Sequence, residues 1–182
     1  MLFPGGRLPL RIFEQRYMDM AKACLRDGTP FGVCLIREGR EVGEPAVPHD
    51  IGTLARIATW DMPQLGVLQV VARGERRFRI RSRTLQADGL ARGAVDVLPD
   101  EQNGEVPPSC RRAMAVLGRL IDEHPDLFEA PHRLDCAGWI SARLAEVLPL
   151  DPLTKQALLE IDDPRERLER VNALLGGAAK ES

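Results

Sequence analysis

Two stretches decide how this chain folds: Ile51-Gly52-Thr53-Leu54-Ala55-Arg56-Ile57 and Gly74-Glu75-Arg76-Arg77-Phe78-Arg79-Ile80. The first is an apolar run too short for a helix and bounded by turn-forming residues, which predicts a strand over residues 52–57. In the second, Phe78 and Ile80 alternate with arginines, the period of a strand over 76–82 with one buried face. That alternation places Phe78 in the core. Gly52 and Gly74 open the two stretches, where a tight turn favours a residue without a Cβ.

The same periodicity extends in both directions. Leu8, Leu10 and Ile12 alternate with Arg7, Pro9 and Arg11 after a Pro4-Gly5-Gly6 bend, which predicts another strand. Tyr17, Met18, Ala21, Cys24 and Leu25 recur at helical spacing, so a helix is expected over 14–27 with Gly28 as its left-handed cap. Apolar runs at 31–36 and 67–72 read as strands, and a last strand is expected over 90–98, before Pro99-Asp100. Strands at this spacing predict a small barrel or folded sheet over residues 1–100. Residues 101–108 have the polar, proline-bearing composition of a linker.

Beyond the linker the pattern turns helical. Met114, Leu117, Leu120 and Ile121 mark one amphipathic face, and Trp139, Ile140, Leu144, Val147 and Leu148 mark another. Asp151-Pro152 and Asp163-Pro164 each pair an N-cap carboxylate with proline at the first helical position, where the missing N–H costs nothing. Leu168, Val171, Leu174 and Leu175 face inward on a last helix that Gly176-Gly177 is expected to end. The fold class is therefore α+β: a β-rich half with one inserted helix, then a helical bundle over 109–177 and a disordered tail at 178–182.

Composition narrows the function. With 182 residues, 44% of them hydrophobic, the chain can bury one core or two small ones. A formal net charge of −2 with 29% charged residues demands no nucleic acid, membrane or highly charged substrate. Cys24, Cys34, Cys110 and Cys136 form no C-x-x-C pair and are read as reduced and mostly buried. With no apolar run long enough to span a bilayer and no leader-like N-terminus, a soluble cytoplasmic protein without a membrane partner is expected.

Three stretches resemble the N-terminal substrate-binding domain family of Lon proteases. One is Leu2-Phe3-Pro4-Gly5-Gly6-Arg7-Leu8-Pro9-Leu10-Arg11-Ile12-Phe13-Glu14, followed by Arg16-Tyr17. Another joins the two stretches quoted first, similar to the family's G-T-hydrophobic-A-x-I and G-x-x-R-F strands. The third is Leu148-Pro149-Leu150-Asp151 with Lys155 and Leu158-Leu159. The resemblance implies a six-stranded, PUA-like pseudo-barrel followed by a helical bundle, and a freestanding, non-catalytic module for polypeptide. It departs from the family at the start, where an apolar segment of the kind L-P-L-F-P-L usually precedes the bend; a true start upstream of Met1 is expected. A Lon ATPase needs a G-x-x-x-x-G-K-[ST] loop, and no Gly-Lys pair occurs here. The family's peptidase uses a serine–lysine dyad, whereas lysine occurs here only at Lys22, Lys155 and Lys180, none in matching context. The resemblance thus implies no enzyme and no cofactor. The implied partners are unfolded or exposed polypeptide segments, with a protease or chaperone built from other chains.

The residues offer two candidate surfaces. Trp60, Met62, Pro63, Leu65 and Gly66 read as an interstrand loop rich in apolar side chains, and Phe13 with Tyr17 lies at a strand–helix junction. Such a loop either holds extended polypeptide or, through Trp60, plugs the barrel end. The other is basic: Arg73, Arg76, Arg77, Arg79, Arg81 and Arg83, with Glu75 the only acid between them. On a regular strand Arg77, Arg79, Arg81 and Arg83 share one face about 7 Å apart, an anion-binding stripe or a solvated face paired with acids. The alternative function is accordingly an RNA- or DNA-binding regulator acting through residues 73–83, although no aromatic accompanies the arginines for base stacking. His132 and Cys136 lie four apart, near His124 and Asp135. Asp135 reads better as an N-cap and Pro131 puts His132 in a loop, so no metal site is assigned. His49-Asp50 with Ser82, Ser109 or Ser141 lacks any nucleophile elbow, and no catalytic residue is assigned.

Overall fold

The alternating residues after the Pro4-Gly5-Gly6 bend form strand β1 (Arg7–Ile12), and the helical run that follows forms α1 (Gln15–Asp27). Gly28 closes α1 in the left-handed region at φ 64°, its N–H donating to the carbonyl of Cys24. The structure is a computed structural model that describes residues 1–39, 46–99 and 104–178, with the side chains of the last helix as far as Gly176. Residues 1–100 and 101–182 form two units.

In the first unit β2 (Phe31–Val33), β3 (Ile36–Glu38), β4 (Val47–Pro48), β5 (Ile51–Gln64), β6 (Val67–Leu85) and β7 (Ala91–Val97) follow α1. One sheet runs β1-β6-β5-β2 with β7 also on β6, and β3 and β4 pair separately. All pairings are antiparallel. A sheet-rich half followed by helices is what the periodicity predicts, but the strands divide differently. Among the described residues there are seven strands rather than six. The apolar run at 31–36 breaks after Val33, while the runs at 67–72 and 76–82 fuse into β6. The fusion is possible because a bulge absorbs the irregularity: Thr53 faces Arg77 and Ala55 faces Gly74, so β6 carries one extra residue there.

Two apolar clusters hold this sheet. Ile12, Met18, Ala21, Leu68 and Val70 are buried together beneath α1, with Leu10, Tyr17 and Ile57 against them. Leu2, Ala55 and Ala72 form the other, flanked by Leu8, Phe31 and Val33. The N-terminal bend locks onto Gly74, whose N–H donates to Gly6 O at 2.9 Å and whose carbonyl accepts from the Gly5 N–H at 2.8 Å. A Cβ on Gly74 would sit 2.2 Å from Phe3 O, so the close approach needs glycine. Phe78 is buried as expected, with its ring against Gly32 and Gly52.

In the second unit α3 (Ala137–Val147) packs against each of α2 (Arg111–Glu123), α4 (Pro152–Glu160) and α5 (Pro164–Ala178). Asp151 caps α4 as its Asp-Pro pair predicts, accepting from the N–H groups of Leu153 and Thr154 at 3.0 Å each. Those bonds, that from the Thr154 hydroxyl first, hold its carboxyl below the usual range. Three expectations change. Cys136, not Asp135, caps α3, its Sγ accepting from the Trp139 N–H at 3.4 Å; the helix starts one residue later than the carboxylate could serve. Trp139 is half-buried rather than core, its ring 6.0 Å from that of His132. Helix α5 runs through Gly176-Gly177 to Ala178, because glycine weakens a helix without forcing it to stop. The linker's residues 101–103 and the tail's residues 179–182 lie outside the described residues. Buried Arg167 donates from Nε to Ser141 Oγ at 3.0 Å, and buried Arg143 pairs with Glu146 at 3.1 Å, so arginine here serves the bundle's interior.

Candidate functional site

The apolar candidates gather at one end of the first unit's sheet. Trp60, Met62 and Pro63 do not form a loop: β5 continues through them to Gln64, and a two-residue turn at Leu65 and Gly66 reverses the chain into β6. Gly66 adopts φ 83°, which an L side chain rarely tolerates and which makes so short a turn possible. Trp60 therefore plugs no barrel end. Its side chain is 59% exposed, Met62 is 40% exposed and Leu65 at the tip is 94% exposed. Isolated exposed apolar residues need no explanation, but three on one hairpin do. Phe13, 62% exposed, follows Ile12, whose partner Leu68 lies just past the same turn, so it belongs to the same end of the sheet.

Tyr17 is placed differently. It packs half-buried on the α1 core cluster, with the Arg16 guanidinium 4.7 Å above its ring. Arg16 is in turn held by Glu14 at 2.8 Å and by the carbonyl of Gly89 at 3.1 Å. Between the exposed residues a shallow groove crosses β1, β6 and β5 at residues 9–11, 69–71 and 59–61. Cross-strand register puts Pro9, Val71 and Thr59 in one row, and Arg11, Gln69 and Asp61 in the next. The groove offers apolar and hydrogen-bonding groups side by side, but no nucleophile–base pair.

The arginines do not form the single stripe that strand alternation predicts. The bulge at Glu75 and Arg76 turns Arg77 onto the core face opposite Thr53, where it is 3% exposed. A second bulge, between Ile80 and Ser82, reverses the alternation again, so Arg77 and Arg79 project from one face and Arg83 from the other. The remaining side chains are engaged. Arg81 pairs with Asp96, Arg83 donates to Ala46 O at 2.6 Å and Arg76 to Leu98 O at 2.8 Å. Asp96 holds the Arg81 guanidinium's pKa above its ordinary value, and Glu75 does the same to Arg56. Burial pushes the Cys34 thiol up to about 11, with Asp50 adding to the effect. Among the described residues no group of three or more His, Cys, Asp or Glu could hold a metal ion, and no helix is long and apolar enough to cross a membrane. His132 Nε2 lies 3.4 Å from Phe128 O, a contact within its own loop.

The chain thus combines a sheet-rich unit that presents an exposed apolar hairpin with a second unit built as a helical bundle. The profile of the ATP-dependent protease La (LON) substrate-binding domain matches residues 1–176, and the chain belongs to that family. Its sequence is 26% identical to the Lon protease of Paraburkholderia phytofirmans over 97% of this chain, which spans 23% of that relative's length. A Lon N-terminal domain protein from Xanthomonas campestris has a similar structure, with a TM-score of 0.80 and 38% identity over 95% of this chain and 92% of the other. The N-terminal domain of a Mycobacterium avium complex Lon protease shares the fold, with a TM-score of 0.65 at 21% identity over 94% of this chain and 90% of the other.

Proposed function

We propose that this protein is a non-catalytic module that binds polypeptide segments, unfolded or locally exposed, through the apolar end of the β5–β6 hairpin. The observation that carries the reading is the exposure of Trp60, Met62 and Leu65 together on one hairpin of the sheet, in a member of a substrate-binding family. Aromatic and methionine side chains suit a site that must accept many sequences, because each covers large apolar area and the thioether adapts its shape. Phe13 at the same end extends the apolar area, and Tyr17 supports it from beneath through the core. These 182 residues hold neither the Gly-Lys of a phosphate loop nor a lysine in the context of a peptidase dyad, so bound polypeptide is held and handed on. A protease or chaperone assembled from other chains is the receiver this reading implies, as the length of the Lon relatives suggests.

Fluorescence anisotropy with a labelled, reduced and carboxymethylated polypeptide, run at low and high salt beside a labelled RNA oligonucleotide, tests this. Salt-tolerant binding of the polypeptide alone is expected. RNA binding that weakens steeply with salt, and is abolished by Arg79→Glu with Arg81→Glu, would instead assign the function to the basic strand through counterion release.

A further inference from the structure

We propose that the outer edge of β5 over residues 57–62 seats the bound polypeptide, which joins the sheet there as one more extended strand. This rests on the polypeptide-binding reading and names how that ligand is held. The argument starts from Gly74, whose N–H and carbonyl both bond to the N-terminal segment at Gly5 and Gly6. In an extended strand the two peptide groups of a residue point to one side and those of its neighbours to the other. Register between β1 and β6 is unbroken from Arg7 opposite Arg73 to Ile12 opposite Leu68, so this alternation carries along β6. Ala72 and Val70 therefore turn toward β1, and Arg73, Val71 and Gln69 toward β5.

Their partners on β5 are Arg56, Thr59 and Asp61. Those three spend their peptide groups inward on β6. Ile57 and Trp60 consequently aim N–H and C=O at the opposite edge. The only strand on that edge among the described residues is β2, and it pairs with Thr53, Leu54 and Ala55 and no further. Past Ala55 the edge carries neither proline nor lysine until Pro63, and its one cation, Arg56, is held by Glu75 and the Gly28 carbonyl. A limit does exist at its far end, where the Asp61 carboxylate accepts from the Met62 N–H at 2.8 Å. The bulge at Ala58 separates Ile57 from Trp60 and leaves these two as anchoring positions.

Open peptide groups select the occupant, because only another extended backbone completes them. Strand alternation puts the exposed Trp60 and Met62 side chains on one face beside this edge and Thr59 and Asp61 on the other. The ligand that fits is an extended polypeptide with apolar side chains on one face and polar ones on the other.

The test uses the full chain and a short fluorescein-labelled peptide of alternating leucine and threonine. Two further forms carry N-methyl groups on every leucine or on every threonine nitrogen, which strips donors from one edge of the peptide strand at a time. One methylated form is expected to bind about tenfold more weakly, the loss of roughly two hydrogen bonds, and the other to bind almost as the parent does. Hydrogen exchange at the Trp60 amide should slow when the peptide, or the carboxymethylated polypeptide, is bound. Equal affinity of both methylated forms, or binding that leaves Trp60 exchange unchanged, overturns strand addition while polypeptide binding stands. Failure of every polypeptide to bind overturns both. Protection of Trp60 that grows with protein concentration and no peptide would assign the edge to a second copy of this chain, and overturns the proposal.

Discussion

The two ends of the β5–β6 ladder are built by the same antiparallel pairing and behave in opposite ways. At the end nearer β7, Phe78 lies between Gly32 and Gly52, Cys34 is packed beside Gly52, and Arg77 is buried opposite Thr53. At the turn end, Trp60, Met62 and Leu65 are exposed and β5 has no strand partner on its outer side among the described residues. The difference lies in coverage. β2 and β7 flank one end; at the other β1 covers the β6 side, and the β5 side has no further strand beyond Ala55 among the described residues. A ladder can thus be paired along its whole length and still present apolar side chains at one end, because pairing comes from β6 and exposure from the missing neighbour beyond β5.

The contrast breaks most easily at the closed end. Phe78→Ala removes a buried ring and is expected to cost about 3–5 kcal/mol, read as a lower urea midpoint for the first unit. Gly74→Ala forces a Cβ against Phe3 O and should cost about 1–3 kcal/mol in the same measurement, since backbone must move to admit it. At the open end Trp60→Ala should change stability by less than about 0.5 kcal/mol yet weaken binding of carboxymethylated polypeptide about tenfold. A large stability loss there would show that Trp60 belongs to the core after all.

Cys34 reports how tightly the closed end is sealed. Its thiol pKa is raised from 9.0 to about 11, so the neutral form is favoured by folding. That contribution is complete below pH 9 and is lost as pH rises from 9 toward 11. At pH 8 the thiolate fraction is about a hundredfold below that of a free cysteine, and iodoacetamide labelling followed by peptide mapping should find Cys34 correspondingly slow in the native protein. The smallest effect is expected from Arg81→Gln. It breaks an exposed pair with Asp96, and neither the melting temperature nor polypeptide affinity should move.

Much of this was legible before any coordinates. The alternation of Leu8, Leu10 and Ile12, the helix ending at Gly28, the buried Phe78 and the Asp151 cap each follow from local chemistry, because period, φ preference and capping are properties of neighbouring residues. The proposed site was legible only as composition: Trp60, Met62 and Leu65 stand out as apolar side chains around a turn. Their setting was not. A loop and the end of a long strand look alike where Pro63 and Gly66 punctuate the sequence, and only pairing with Val70 and Gln69 shows that Trp60 lies in a strand.

By itself, then, the sequence determined a sheet-rich half before a helical half, the family, and which side chains are candidates for binding. Tertiary structure decided which arginines face together and which backbone edge stays open. Both depend on where bulges fall and on where a neighbouring strand stops. A bulge adds one residue to one strand and inverts every side chain beyond it, and nothing local to Arg77 or Trp60 records that shift.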